Sequence, residues 1–264
     1  MINAFKNQLK VNLLSIKYAI MREMLNKTTF IMNVVFMMLN NASFIIQWLI
    51  LYSLKDNVGG YNFSQVLLLW GVAAGTYGIS RFFFRKAFSL SELITNGKLD
   101  SFLVQPKNVL LSIITSEVEP SAMGDLFYAY IILFVSGCTP LKFILFTFFI
   151  ICGGFILASF AVMFGSVAFW ISRSEMFADT MNSFLTNFAT YPDGIFKNVI
   201  KILLYTLIPV GFTSYIPVKV MTQFDIRGVL IVLGVTIISI TLAFVIFFRG
   251  LRRYSSSNLM ISKI

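Results

Sequence analysis

Charge is scarce in this chain: 12 % of its 264 residues are Asp, Glu, Lys or Arg, against 58 % hydrophobic and 16 % aromatic. A water-soluble domain carries about 25 % charged residues, so a solvated surface for a chain of this size cannot be built. Histidine is absent, which removes the commonest general base and the commonest transition-metal ligand. The two cysteines, Cys138 and Cys152, lie in apolar surroundings with no C-x-x-C pattern. Neither a zinc site, a redox motif nor a disulfide framework is signalled, and both read as small buried hydrophobes. No G-x-x-x-x-G-K-[ST] run occurs; Gly97-Lys98-Leu99 lacks both the preceding glycine pattern and the hydroxyl, so the chain cannot bind and hydrolyse ATP by that route. What is abundant is apolar, with 29 Phe residues, and the composition is that of a polytopic integral membrane protein.

Spans of about 20 mostly apolar helical residues are needed to cross a ~30 Å hydrocarbon core. Runs over 28–54, 63–80, 122–138, 143–171, 176–190 and 229–248 are read as six spans, the fifth short and polar. The piece 191–228 contains an apolar run of only half a span, 199–208, and is broken at Pro209, Gly211 and Pro217. It is read as short helices that dip into the membrane and return. With both termini inside, the inner segments hold Lys6, Lys10, Lys17, Arg22, Lys27, Arg81, Arg85, Lys86, Lys98, Lys107, Arg173, Arg249, Arg252, Arg253 and Lys263. The outer ones hold only Lys55, Lys142, Lys197, Lys201, Lys219 and Arg227. This asymmetry satisfies the positive-inside rule and accounts for the net charge of +10 without nucleic acid. Residues 1–27 repeat Phe5, Leu9, Leu13, Ile16 and Ile20 on one helical face, with lysines elsewhere. They form an amphipathic interfacial helix on membrane lipids; packing on the protein's own spans is the other reading.

Polar residues inside spans need partners. Asn33, Asn40 and Gln47 recur every seven residues in the first span, with Asn41 adjacent; Asp179, Asn182 and Thr186 share a face of the fifth. Each series is either a substrate path or interhelical hydrogen bonding. Asp125 reads as a helix N-terminal carboxylate, Glu117 and Glu119 as solvated, and Trp48, Trp70 and Trp170 as belt or lipid-packing anchors. Gly153, Gly154 and Gly165 permit close helix approach.

The segment 86–106 carries Glu92-Leu93-Ile94, then Gly97, Leu99-Asp100, Leu103 and Pro106. Ser89 or Ser91 can cap a short helix there, Asn96-Gly97 can end it, and Leu90, Leu93 and Ile94 share an apolar face suited to a partner's groove. This segment, and the order of elements around it, resembles permease subunits of type-2 ATP-binding-cassette exporters, in the subgroup of one or two permeases with a separate ATPase. The resemblance implies an all-α membrane domain of six spans, with a cytoplasmic coupling helix between spans two and three and extracytoplasmic re-entrant helices between five and six. It implies that Glu92, Leu93, Ile94, Leu99, Asp100 and Leu103 couple to the ATPase, and that Asn33, Asn40, Gln47, Asp179, Asn182 and Thr186 line a translocation path. It further implies two copies of a separate ATPase that binds ATP and Mg, a second permease identical or paralogous to this one, and residence in a bacterial plasma (inner) membrane with both termini cytoplasmic. This chain itself would bind no cofactor and catalyse nothing. The rival readings are an ATP-independent secondary transporter or channel, which would show inverted repeats, and a membrane-embedded lipid-modifying enzyme, for which no catalytic constellation is present.

Overall fold

The computed structural model describes residues 2–171 and 174–255; Arg173 and Lys263 of the inner basic set lie outside them. The fold is all-helical, 79 % helix, with no strand among the described residues. The helices in chain order are α1 (Ile2–Glu23), α2 (Lys27–Leu54), α3 (Phe63–Phe84), α4 (Leu90–Thr95), α5 (Asp100–Leu103), α6 (Val109–Ile114), α7 (Ala122–Val135), α8 (Pro140–Ser166), α9 (Glu175–Phe188), α10 (Asn198–Leu203), α11 (Ile216–Thr222) and α12 (Ile226–Leu251).

Local signals set the helix starts. Asn62 and Gln65 form a reciprocal capping box at α3, Thr139 caps α8 with Pro140 in its first turn, and Asn26 caps α2; each side chain satisfies an amide that the helix leaves unpaired. Four helical runs are long and apolar enough to cross a membrane: Lys27–Leu54, Phe63–Thr95, Pro140–Phe169 and Ile226–Leu251. Six spans were expected. The two others, α7 and α9, have 14 residues each, about 21 Å at 1.5 Å per residue, short of a full hydrocarbon core. The apolar run 199–208 forms helix only over α10, six residues, a rise of about 9 Å.

α3 is the enclosed helix, while α2 and α12 are mostly open. α7 runs antiparallel to α3: Leu126 lies on Gly78, Ala129 on Gly75 and Ile132 on Gly71. α8 runs parallel to it, with Ile150 on Gly75, Gly153 on Thr76 and Gly165 on Leu90. Tight approach is written into the sequence at Gly124, where a Cβ would collide with the Val34 carbonyl oxygen of α2. The end of α12 meets the end of α8, Phe247 and Phe169 stacking edge to face at 5.6 Å. α9 starts with Ser174 3.4 Å from Ser91 of α4. The chain that follows it reaches the far end of the α2–α3 pair, where the Tyr191 ring is 6.2 Å from Trp48 and Gly194 abuts Gly59.

α1 touches the protein through its small polar face. Ser15 donates to the Thr115 carbonyl at 3.1 Å, the Asn108 amide donates to Gln8 at 2.9 Å, and Asn12 and Ala19 are buried. Leu9 and Leu13, on the apolar face, point away and are exposed. Ile16 and Ile20, of the same apolar set, are half-buried.

Candidate functional site

The loop helix α4 continues the line of α3 through a 3-10 turn, Arg85–Ser89. Ser89 occupies its N-cap position without a side-chain bond. Gly97 ends it at φ +67°, a left-handed conformation open to glycine, with the Lys98 amide donating to the Leu93 carbonyl at 3.1 Å. Its apolar face does not wait for a partner. Leu93, Ile94 and Leu99 are buried in this chain's own core, and Leu90 sits on Gly165 of α8. These three residues were expected on a docking surface; they are buried within the chain itself, where a leucine realises roughly 1.5–3 kcal/mol of burial that exposure would leave unrealised. What α4 and α5 leave open is Glu92, paired with Lys98 at 3.5 Å, together with Leu103 and Val104, the latter 85 % exposed. Asp100 is half-buried between the two sets.

Beside this helix, Glu117 and Glu119 are paired rather than simply solvated. Lys86 donates to Glu117 at 2.6 Å, and Glu119 lies 3.7 Å from Arg81 and 3.4 Å from Arg85. The Arg81 guanidinium also lies 4.0 Å over the Phe88 ring. The chain returning through 115–121 neutralises the basic foot of α3.

The two polar series end up in different places. On α9, Asp179 is exposed, Asn182 buried and Thr186 half-buried, its hydroxyl donating to the Asn182 carbonyl at 3.2 Å. On α2, Asn33, Asn40 and Gln47 are exposed, and the buried stripe is one residue on: Val34, Asn41 and Trp48. Asn41 donates to Asp125 Oδ1 at 2.6 Å. An amide beside a polar stripe and a carboxylate in an apolar helix are the signals in the sequence, but only packing brings them together.

Two cavities collect these groups. One, of about 580 Å³, lies between Arg81, Arg85, Glu92, Glu175, Asp179 and Asn182. The other, of about 520 Å³, is lined by Asn40, Asn41, Phe44, Trp70 and Asp125 from α2, α3 and α7. They meet at Tyr77, Thr186 and Asn187, which line both. Asn33 and Gln47 line neither. Trp70 was expected as an anchor among lipids; it is buried and stacked on Phe44 at 5.1 Å in the second cavity, whereas Trp170 is exposed.

At the end of the bundle away from α4, Asp193 is buried beneath the segment that carries α10 and α11. Lys219 donates to its Oδ2 at 3.1 Å, Lys201 lies at 3.6 Å, and the Tyr205 hydroxyl donates at 3.4 Å. Burial disfavours the carboxylate, but the Lys219 bond and the two ammonium charges outweigh it and hold Asp193 below the usual carboxylate range.

No curated protein and no solved structure matches the chain. Residues 36–258, which include both cavities, the loop helix and the Asp193 cluster, match the family described as ABC-2 family transporter protein. The match takes in most of the chain, so that this helical membrane protein belongs to the ABC-2 family of transporter proteins.

Proposed function

We propose that the chain is the permease subunit of an ATP-driven exporter, working beside a second permease and a separate ATPase supplied in two copies. One observation carries the reading: α4 is packed at once on α8, through Leu90 and Gly165, and on the start of α9, through Ser91 and Ser174, while Glu92, Lys98, Leu103 and Val104 stay open. A push on the open face is thereby delivered to two membrane helices. α9 walls both cavities through Thr186 and Asn187, so the same push bears on the polar path.

In this reading Leu93, Ile94 and Leu99 are the lever's inner face. They fasten α4 to the bundle, and the partner ATPase, which holds ATP and Mg, seats on Glu92, Lys98, Leu103 and Val104. Asp179, Asn182, Thr186 and Asn40 line the path. Asn33 and Gln47, exposed on α2, are left to contact the second permease, which is identical or paralogous. Six crossings are supported by the ends of α9: Ser174 touches α4, whereas Tyr191 and Gly194 touch Trp48 and Gly59 at the opposite end. Lys/Arg asymmetry puts α4 and both termini in the cytoplasm of a bacterial plasma membrane. Affinity capture of the full chain from membranes, followed by mass spectrometry of the retained subunits, is the test. An ATPase carrying a phosphate-binding loop should be recovered in stoichiometric amount; a chain that purifies alone and moves substrate down an ion gradient would refute the reading.

A further inference from the structure

Four residues in the wall of the second cavity, Asp125, Trp70, Thr76 and Ser214, each carry a buried polar atom without a hydrogen-bond partner among the described residues. Asp125 is 3 % exposed, and its other oxygen is already taken by Asn41. An apolar space with one buried carboxylate and a few polar side chains in its wall has the make-up of a small-molecule site. Its chemistry is set by the walls. No Lys or Arg lines this cavity, one carboxylate does, and the rings of Phe44, Trp70, Tyr77 and Tyr191 surround it. The volume of about 520 Å³ lies in the range of small-molecule sites.

We infer that this cavity takes an organic cation, its positive centre against Asp125 and its apolar body against Phe44 and Trp70. A cation gains both the carboxylate and the aromatic faces, an anion meets an unanswered like charge, and a neutral molecule gains only the apolar walls. The approach from the α4 side suits the same charge. There Glu92, Glu175 and Asp179 face the adjoining cavity, while its two basic groups, Arg81 and Arg85, are held by Glu119 at 3.7 and 3.4 Å. The inference rests on the permease reading above and names the substrate class of that path.

Tetraphenylphosphonium and tetraphenylborate, nearly identical in shape and opposite in charge, are the probes. Each is titrated separately against the full chain in nanodiscs of zwitterionic lipid, and the saturable component is read by equilibrium dialysis. Saturable binding of the phosphonium alone is expected, at least tenfold weaker in Asp125→Asn and several-fold weaker in Trp70→Leu. Absence of saturable phosphonium binding, equal binding of the borate, or an Asp125→Asn variant that binds like the unaltered chain would overturn it. Should Asp125→Asn fail to fold, the charge comparison on the unaltered chain and Trp70→Leu decide. ATPase capture is scored on the same preparations. Capture retained with no cation binding removes the substrate assignment only; cation binding retained with no capture removes the ATPase-driven reading only.

Discussion

Two substitutions at the ends of α5, one at buried Leu99 and one at exposed Val104, separate fastening from docking. Leu99 is 0 % exposed and Val104 85 % exposed. Truncating a buried leucine to alanine costs about 2–5 kcal/mol, the removed contacts plus the cavity left behind. Leu99→Ala should therefore destabilise the permease itself. Val104→Asp removes no internal contact, and a surface change of this kind lies within about 0.5 kcal/mol. In the complex the balance reverses. An aspartate at position 104 forfeits the apolar burial of the valine, about 1.5 kcal/mol or more, and adds a desolvation cost of several kcal/mol where no partner charge answers it. At about 1.4 kcal/mol per tenfold, ATPase affinity should fall by two or more orders of magnitude. Thermal stability of fluorescently tagged protein in detergent, read by size exclusion, and ATPase capture from membranes are the paired assays. Leu99→Ala should lower the melting point with capture retained below it, and Val104→Asp should leave the melting point alone and abolish capture. If Val104→Asp captures the ATPase at the unaltered level while Leu99→Ala leaves stability unchanged, the division of α4 and α5 into an inner and an outer side is wrong.

With Cys138 and Cys152 replaced by serine, a cysteine at exposed Asn96 should react with an impermeant maleimide only from the cytoplasmic side of membrane vesicles, and one at exposed Asn57 only from the other side; reaction of both from one side would defeat the orientation. Gly124→Ala should part α2 from α7 at the Val34 carbonyl and cost about 1–3 kcal/mol, seen as a lower melting point with membrane insertion unchanged. Because the folded protein holds Asp193 below the usual carboxylate range, its contribution is complete above that range and is lost as the pH falls through the lowered value. Protection of 191–222 from hydrogen exchange should accordingly drop in acid, whereas Asp193→Asn should lose about 1–3 kcal/mol of it at neutral pH and show a flatter acid response. Asn40→Leu combined with Asn182→Leu should change export without preventing insertion; unchanged transport in vesicles would detach both residues from the path.

Composition determined that the protein lives in a membrane, because 12 % charged residues cannot clothe a soluble surface, and apolar runs of about 20 residues made it helical, the length at which a helix crosses a bilayer with its backbone satisfied. The stop at Gly97 was legible because it depends on residues within a turn of the helix end, whereas Ser89, expected as a cap, holds the N-cap position without a side-chain bond. The loop helix was legible as an amphipathic element, but which body its apolar face would meet was not. Periodicity says that Leu90, Leu93 and Ile94 share a burial fate, and only the parallel packing of α8 along α3 brings Gly165 under Leu90 and closes that face. The polar stripe of α2 shows the limit most plainly. Asn40 and Asn41 differ by one residue and by about 100° around the helix, and the side that is buried was decided by where Gly124 lets α7 approach. That contact carries Asp125 to Asn41. Likewise, hydropathy could place Trp70 in a span but not on its inner side; Phe44 from α2 and Asp125 from α7 make it a cavity wall. Pattern along one chain determines which residues must be buried together, and long-range packing decides what they are buried against.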